Sequence, residues 1–201
     1  MQNGFIDKRF HDLSRTAVAI QTTAVFLALL TVALVLPLLV RYVGVDFLAR
    51  NDQWIMGTVV NCALVIVGVN FARWKTIMAV VFLPSTVHVI NFYFFSIGTV
   101  FSLYMIPAIW IGNLALVLIF KYMLVHKKQN YVITAGIAVI VKAAIIFAIF
   151  NVLVAIGTIP PFPAQMMTPR MGVNQLVVGA VGCAIAYVIL KVFYKAKYSN
   201  K

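Results

Sequence analysis

One lysine interrupts the apolar run over residues 132–157. Lys142 lies ten residues beyond the start of that run. At ~1.5 Å per helical residue this is roughly 15 Å deep, near the middle of a ~30 Å hydrocarbon core. An isolated charge there costs at least about 2.5–3.5 kcal/mol, so it needs water, a partner or a route to the interface. No acid lies in any apolar run: the four acids are Asp7, Asp12, Asp46 and Asp52, and Glu is absent. Two readings of Lys142 stand. It faces a cavity and meets a carboxylate or phosphate on a ligand, or, more plainly, it snorkels inward or bonds to carbonyls of neighbouring helices.

Other polar residues fall near the midplane or in the outer half: Asn61, His88, Asn91, Asn113, Asn151, Asn174 and Gln175. Asn113 sits close to the expected depth of Lys142. With Tyr93, Tyr104, Trp110, Phe147 and Phe150 as walls, this set can converge on an outward-facing pocket, where a few placed polar groups sit among aromatic surface. The plainer reading gives each amide an interhelical hydrogen bond worth about 0.6 kcal/mol. It makes His88 a structural histidine and the aromatics an interfacial belt.

The missing chemistry narrows the function. The chain has no GxxxxGK[ST] phosphate loop, no HExxH, no GxSxG and no evident nucleophile–base pair, so no enzyme is expected. Ion-driven carriers commonly use intramembrane carboxylates, which are absent here, although carbonyls alone can bind Na⁺. Cys62 and Cys183 lie in apolar runs without metal-ligand spacing, so neither a metal site nor a disulfide is expected.

These residues need a membrane to sit in. Hydrophobic residues make up 64% of the 201 and charged residues 10%, against about 45–50% and 25% in soluble chains. Mean hydropathy is +1.04. Too few charges exist to cover a water-soluble fold. The expected fold is all-α, an integral membrane bundle of six transmembrane helices over residues 17–40, 54–72, 76–91, 103–124, 132–157 and 173–194. The third run is short and holds Pro84. Residues 1–16 form a cytoplasmic segment, 17–194 the membrane domain and 195–201 a basic cytoplasmic tail. The first run is about twice a signal peptide's length, so a retained helix is expected. Phe5, Phe10 and Leu13 before it suit either a short interfacial helix or a solvated tail.

The net charge of +12 follows the positive-inside rule rather than nucleic-acid binding. With the N-terminus inside, twelve cations face the cytoplasm, from Lys8, Arg9 and Arg15 through Arg73, Lys75, Lys121, Lys127 and Lys128 to Lys191, Lys195, Lys197 and Lys201. Only Arg41, Arg50 and Arg170 face out. Both termini are therefore expected in the cytoplasm of a cell-membrane protein. The outer connections, residues 41–53, 92–102 and 158–171, are longer than the inner ones, and prolines at 160, 161, 163 and 169 are expected to keep the last free of helix. Ala24 and Ala28 form a small-xxx-small step that lets another helix approach closely.

The ensemble resembles a substrate-binding (S) component of an energy-coupling factor (ECF-type) ABC transporter. Met105-Ile-Pro-Ala-Ile-Trp-Ile-Gly-Asn113 is similar to a Met-x-Pro-x-x-x-x-Gly-Asn stretch in that family. Gly57-Thr-Val-Val-Asn61 resembles its Gly-Pro-x-x-Asn, with Thr58 in place of Pro, and Met171-Gly-Val-Asn-Gln175 resembles the turn before its last helix. Residues 92–95 depart from a Gly-rich loop common there, and Lys142 matches no family position. The resemblance implies capture of a vitamin-like micronutrient outside, docking through Ala24 and Ala28 on a coupling membrane subunit with two ABC-type ATPases, toppling, and release inside. The partners use the ATP, and no cofactor is implied for this chain. The substrate-binding candidates are His88, Asn91, Tyr93, Tyr104, Trp110, Asn113, Lys142, Phe147, Asn151, Asn174 and Gln175. Lys142 and the aromatics predict a small, planar, anionic ligand. The alternatives are a self-sufficient carrier or channel, and a non-transporting scaffold.

Overall fold

A computed structural model describes residues 15–44, 46–70, 74–96 and 99–199. The reading of Phe5, Phe10 and Leu13, and the cations Lys8, Arg9, Arg73 and Lys201, lie outside the described residues. The fold is all-α, an integral membrane bundle. Among the described residues six segments are long and apolar enough to cross a bilayer: Thr23–Val43, Gln53–Asn70, Trp74–Phe95, Ile106–His126, Tyr131–Ala155 and Pro161–Val192.

The first crossing joins α1 (Arg15–Leu30), a π-helical turn (Thr31–Val35) and α2 (Leu36–Val43). Val25, Leu29, Ala33 and Leu36 are buried along one stripe, at the spacing of a single helix face. Ala24 and Ala28 lie on the exposed face. Pro37 explains the irregular turn. It has no N–H to return to the carbonyl four residues back, which belongs to Ala33. Asn91 of the third crossing donates to that carbonyl instead, Nδ2 to O at 2.8 Å.

Gly44 ends α2 in the left-handed region, φ 67°, where a missing Cβ costs nothing. The chain re-enters a helix almost at once: α3 runs Asp46–Asn70. The long outer connection expected over residues 41–53 is thus largely helix. The next crossing is α4, Trp74–Phe95, at 22 residues a full span despite Pro84. Buried on a packed face, Pro84 sacrifices one backbone bond, a loss that neighbouring helices make tolerable within a membrane. Arg41 caps the far end of α4, its Nη1 donating to the carbonyls of Phe95 and Ser96, the latter at 2.8 Å.

After α5 (Val100–Tyr104) and α6 (Ile106–Ile119), a second π-helical stretch covers Phe120–His126. The last elements are α7 (Tyr131–Ala155), α8 (Pro161–Met171) and α9 (Val173–Ser199). Much of the segment expected as a tail over residues 195–201 therefore continues helix α9. The helix α8 corrects the expectation that prolines exclude helix from residues 158–171. Pro161 and Pro163 fall in the first turn, where backbone N–H groups have no intrahelical acceptor anyway. Pro169 falls in the last turn, where one lost bond ends little.

Small residues set the packing around α3. A Cβ built on Gly182 of α9 would lie 2.6 Å from Asn61 Cβ and 2.8 Å from the Thr58 carbonyl oxygen. One on Gly57 would meet Val178 at 3.0 Å, one on Gly179 would meet Val139 of α7 at 2.8 Å, and one on Gly112 would meet Ile146 of α7 at 2.9 Å. In lipid, such close backbone approach is a main source of helix association.

Candidate functional site

Lys142 is buried at 3% exposure. Its Nζ donates to Asn61 Oδ1 at 2.6 Å, and Asn61 Nδ2 donates to the Gly57 carbonyl one turn back at 2.7 Å. Both ends of the Asn61 amide are thereby committed. The bond ties α7 to α3 where α9 packs closest, with Gly182 against the Asn61 Cβ. Lys142 neither reaches the interface nor bonds to a backbone carbonyl. Its partner is a side chain that the sequence reading had noted but left out of the site. A depth signal was available. Asn61 lies nine residues before the Asn70 end of α3 and Lys142 eleven residues after the Tyr131 start of α7.

Asn113 enters the same level of the bundle. It follows Gly112, whose ideal Cβ would lie 3.3 Å from the Lys142 carbonyl oxygen. One turn on, Val117 presents its backbone to Gly68 of α3, so α6 packs on both α7 and α3 around this level. Asn113 is 1% exposed, yet neither its Oδ1 nor its Nδ2 has a hydrogen-bond partner. One turn back toward the start of α6, Trp110 packs edge-on against Phe82, centroids 4.7 Å apart, and its Nε1–H is also buried without an acceptor. Leaving a buried polar group unmatched costs about 1–3 kcal/mol. Three unmatched atoms on two successive turns of one helix therefore mark a place the chain does not satisfy by itself.

The remaining candidates divide. His88 is held by Ser102, Nε2 to Oγ at 2.8 Å. The Ser102 hydroxyl donates to the Thr99 carbonyl, so His88 Nε2 is the donor, and the pair pins α5 to α4. Asn91 spends its Nδ2 on Ala33, while its Oδ1 is buried and unmatched. Asn174 Nδ2 lies 3.4 Å from Gln53 Oε1, and Gln53 and Gln175 both donate to the Arg170 carbonyl at 3.0 Å. These amides cap the end of α8 and join it to α3 and α9. Gln53 was absent from the sequence reading.

Four candidates stand apart from this set. Tyr93, Tyr104 and Phe147 are exposed. Asn151 is exposed too and donates back to the Phe147 carbonyl on its own helix at 2.7 Å. Helical phase accounts for the last two: residues 147 and 151 share one face of α7, whereas Ile146 and Phe150 on the adjoining face are buried. Phe150 belongs to a second apolar cluster with Met105, Ile146, Ile159, Ala164 and Met167. This cluster seats α8 across the start of α6 and the end of α7.

Among the described residues no group of three or more His, Cys, Asp or Glu side chains is placed to hold a metal. The chemistry on offer is a lysine amine and unmatched amide and indole groups within an apolar wall. That combination suits recognition of a polar, acceptor-bearing small molecule. Comparison with family models, curated proteins and solved structures finds no match.

Proposed function

We propose that this chain is the membrane-embedded substrate-binding subunit of an ECF-type importer. It lies in the cell membrane with both termini cytoplasmic, captures an anionic, planar micronutrient from outside, and delivers it inward with a coupling membrane subunit and two ABC-type ATPases. The observation that carries the reading is Asn113. It ends the stretch that most resembles the family, and it is buried with both amide atoms unmatched, one residue after the Gly112 that packs on the Lys142 backbone. A ligand carrying both a donor and an acceptor would answer both atoms. Trp110 Nε1 supplies a further donor on the same side of α6. Lys142 would exchange its neutral partner Asn61 for an anionic group on the ligand, a stronger, charge-assisted bond. The helix α8, seated by apolar contacts and capped by the amides of Gln53 and Gln175, closes the outer side. The exposed Ala24 and Ala28 face of α1 suits the close approach of a partner helix. ATP hydrolysis belongs to the partners.

Mass spectrometry of small molecules released from the purified chain tests this reading. The wild type is expected to release one anionic metabolite at near-stoichiometric amounts, and Lys142→Met and Asn113→Leu at least tenfold less while still purifying as folded protein. Equal release from all three proteins would remove both residues from the site. Release of nothing from the wild type, with no uptake in vesicles, would favour a scaffold.

A further inference from the structure

The π-helical end of the fourth crossing carries a feature that substrate capture does not use. After Phe120–His126 the chain folds back on itself. Lys127 N donates to the Tyr122 carbonyl and Gln129 N to the Met123 carbonyl, both at 2.8 Å. Lys128 takes up the left-handed region, φ 56°, to make the return. Lys127 and Gln129 are thereby laid beside the last turn. The result is an open groove of about 520 Å³ lined by Leu118, Ile119, Tyr122, Met123, Lys127 and Gln129, a volume typical of small-molecule sites.

The groove is polarised along the membrane normal. Leu118 and Tyr122 are exposed along its wall, within the crossing Ile106–His126, and so stand level with acyl chains. Its rim lies just beyond the crossing, level with headgroups. There Lys127 Nζ sits 5.7 Å from the Tyr122 ring centroid, in a run of His126, Lys127 and Lys128. Asp46 and Asp52 belong to the first two turns of α3, and the opposite end of that helix meets Val117 and Phe120 through Gly68.

We propose that the groove is a binding site for one anionic phospholipid. Its phosphate sits at Lys127 and the Gln129 amide, and an acyl chain lies along Leu118, Ile119, Tyr122 and Met123. Charge complementarity selects the headgroup, because juxtamembrane cations attract anionic lipids. The narrow apolar wall selects a chain. A protein partner would instead need on the order of 1,000 Å² of matched surface, which six residues around a groove do not offer.

Native mass spectrometry of the full chain in detergent, supplied with phosphatidylglycerol or phosphatidylcholine, tests the site. The wild type is expected to retain phosphatidylglycerol severalfold over phosphatidylcholine. Lys127→Gln should lower that retention about fivefold, one interfacial cation's share. Leu118→Trp, which fills the wall without touching charge, should lower it as well. Lys191→Gln, removing a cation that sits 5.8 Å from the Tyr187 ring on α9, should leave it unchanged. Equal retention of the two lipids would overturn the proposal, as would equal loss in the two lysine variants. Unchanged lipid retention in Lys127→Gln, with loss of a bound protein partner, would assign the groove to protein docking instead. The outcome does not depend on what the chain imports.

Discussion

Two buried asparagines should respond with opposite signs to loss of their amides. Asn61 has both amide ends engaged, one by Lys142 Nζ at 2.6 Å and one by the Gly57 carbonyl at 2.7 Å. Asn113 is equally buried and has neither engaged. Asn61→Ala keeps the Cβ that packs on Gly182 and strands the lysine amine. A hydrogen bond to a charged group is worth about 1.5–3 kcal/mol, so the expected loss is about 2–3 kcal/mol. Asn113→Leu keeps the volume and removes two unmatched groups, for an expected gain of about 1–3 kcal/mol. At roughly 2–4 °C per kcal/mol for a chain of this size, the two variants should melt on the order of 10 °C apart, on either side of wild type. Thermal unfolding of ligand-free protein in detergent reads this directly. Adding Lys142→Met to Asn61→Ala should recover most of the loss, because the stranded amine goes with it. If Asn113→Leu destabilises as much as Asn61→Ala, the Asn113 amide has a partner inside the chain and the case for a ligand there fails.

Further outcomes follow from the packing. Gly182→Ala would push a Cβ against the Thr58 carbonyl and the Asn61 Cβ. Overpacking against backbone costs about 1–3 kcal/mol, and melting should fall by several degrees, with no change if α3 and α9 stand farther apart than described. Arg41→Gln removes the cation that caps α4 at Phe95 and Ser96. That is worth about 0.3–1 kcal/mol, so amide exchange over residues 92–96 should quicken by two- to fivefold, and unchanged exchange would deny the cap. Ala24→Trp or Ala28→Trp should block ATP-dependent uptake yet spare ligand release from purified protein, since both lie on the exposed face of α1. Normal uptake in both would move the docking face elsewhere. Lys142→Met should lower ligand retention without preventing insertion, as metabolite release measures.

The six crossings were legible because hydropathy over some twenty residues reports a bilayer directly. The depth of Lys142 followed from residue counting alone. Its partner did not, because the choice of Asn61 depends on how α3 and α7 are rotated, and Gly182 sets that rotation through packing rather than through any polar signal. Rotation also separates Asn151 from Phe150, one residue apart in sequence and on different faces of α7. Proline misled at α8, since its cost depends on position within a helix: Pro161 and Pro163 occupy the one turn where the missing N–H is harmless. Pro37 shows the converse. Its effect on Ala33 was readable, but the answering amide, Asn91, comes from 54 positions later in the chain, and only the fold brings it there.

Affinity purification of the tagged chain from its native membranes, with identification of co-purifying proteins, tests whether it works as one subunit of an ECF-type importer. Two ABC-type ATPases and one further membrane protein are expected in stable association with the chain. Recovery of the chain alone, together with uptake by that chain alone in vesicles, would contradict it and make the protein a self-sufficient carrier.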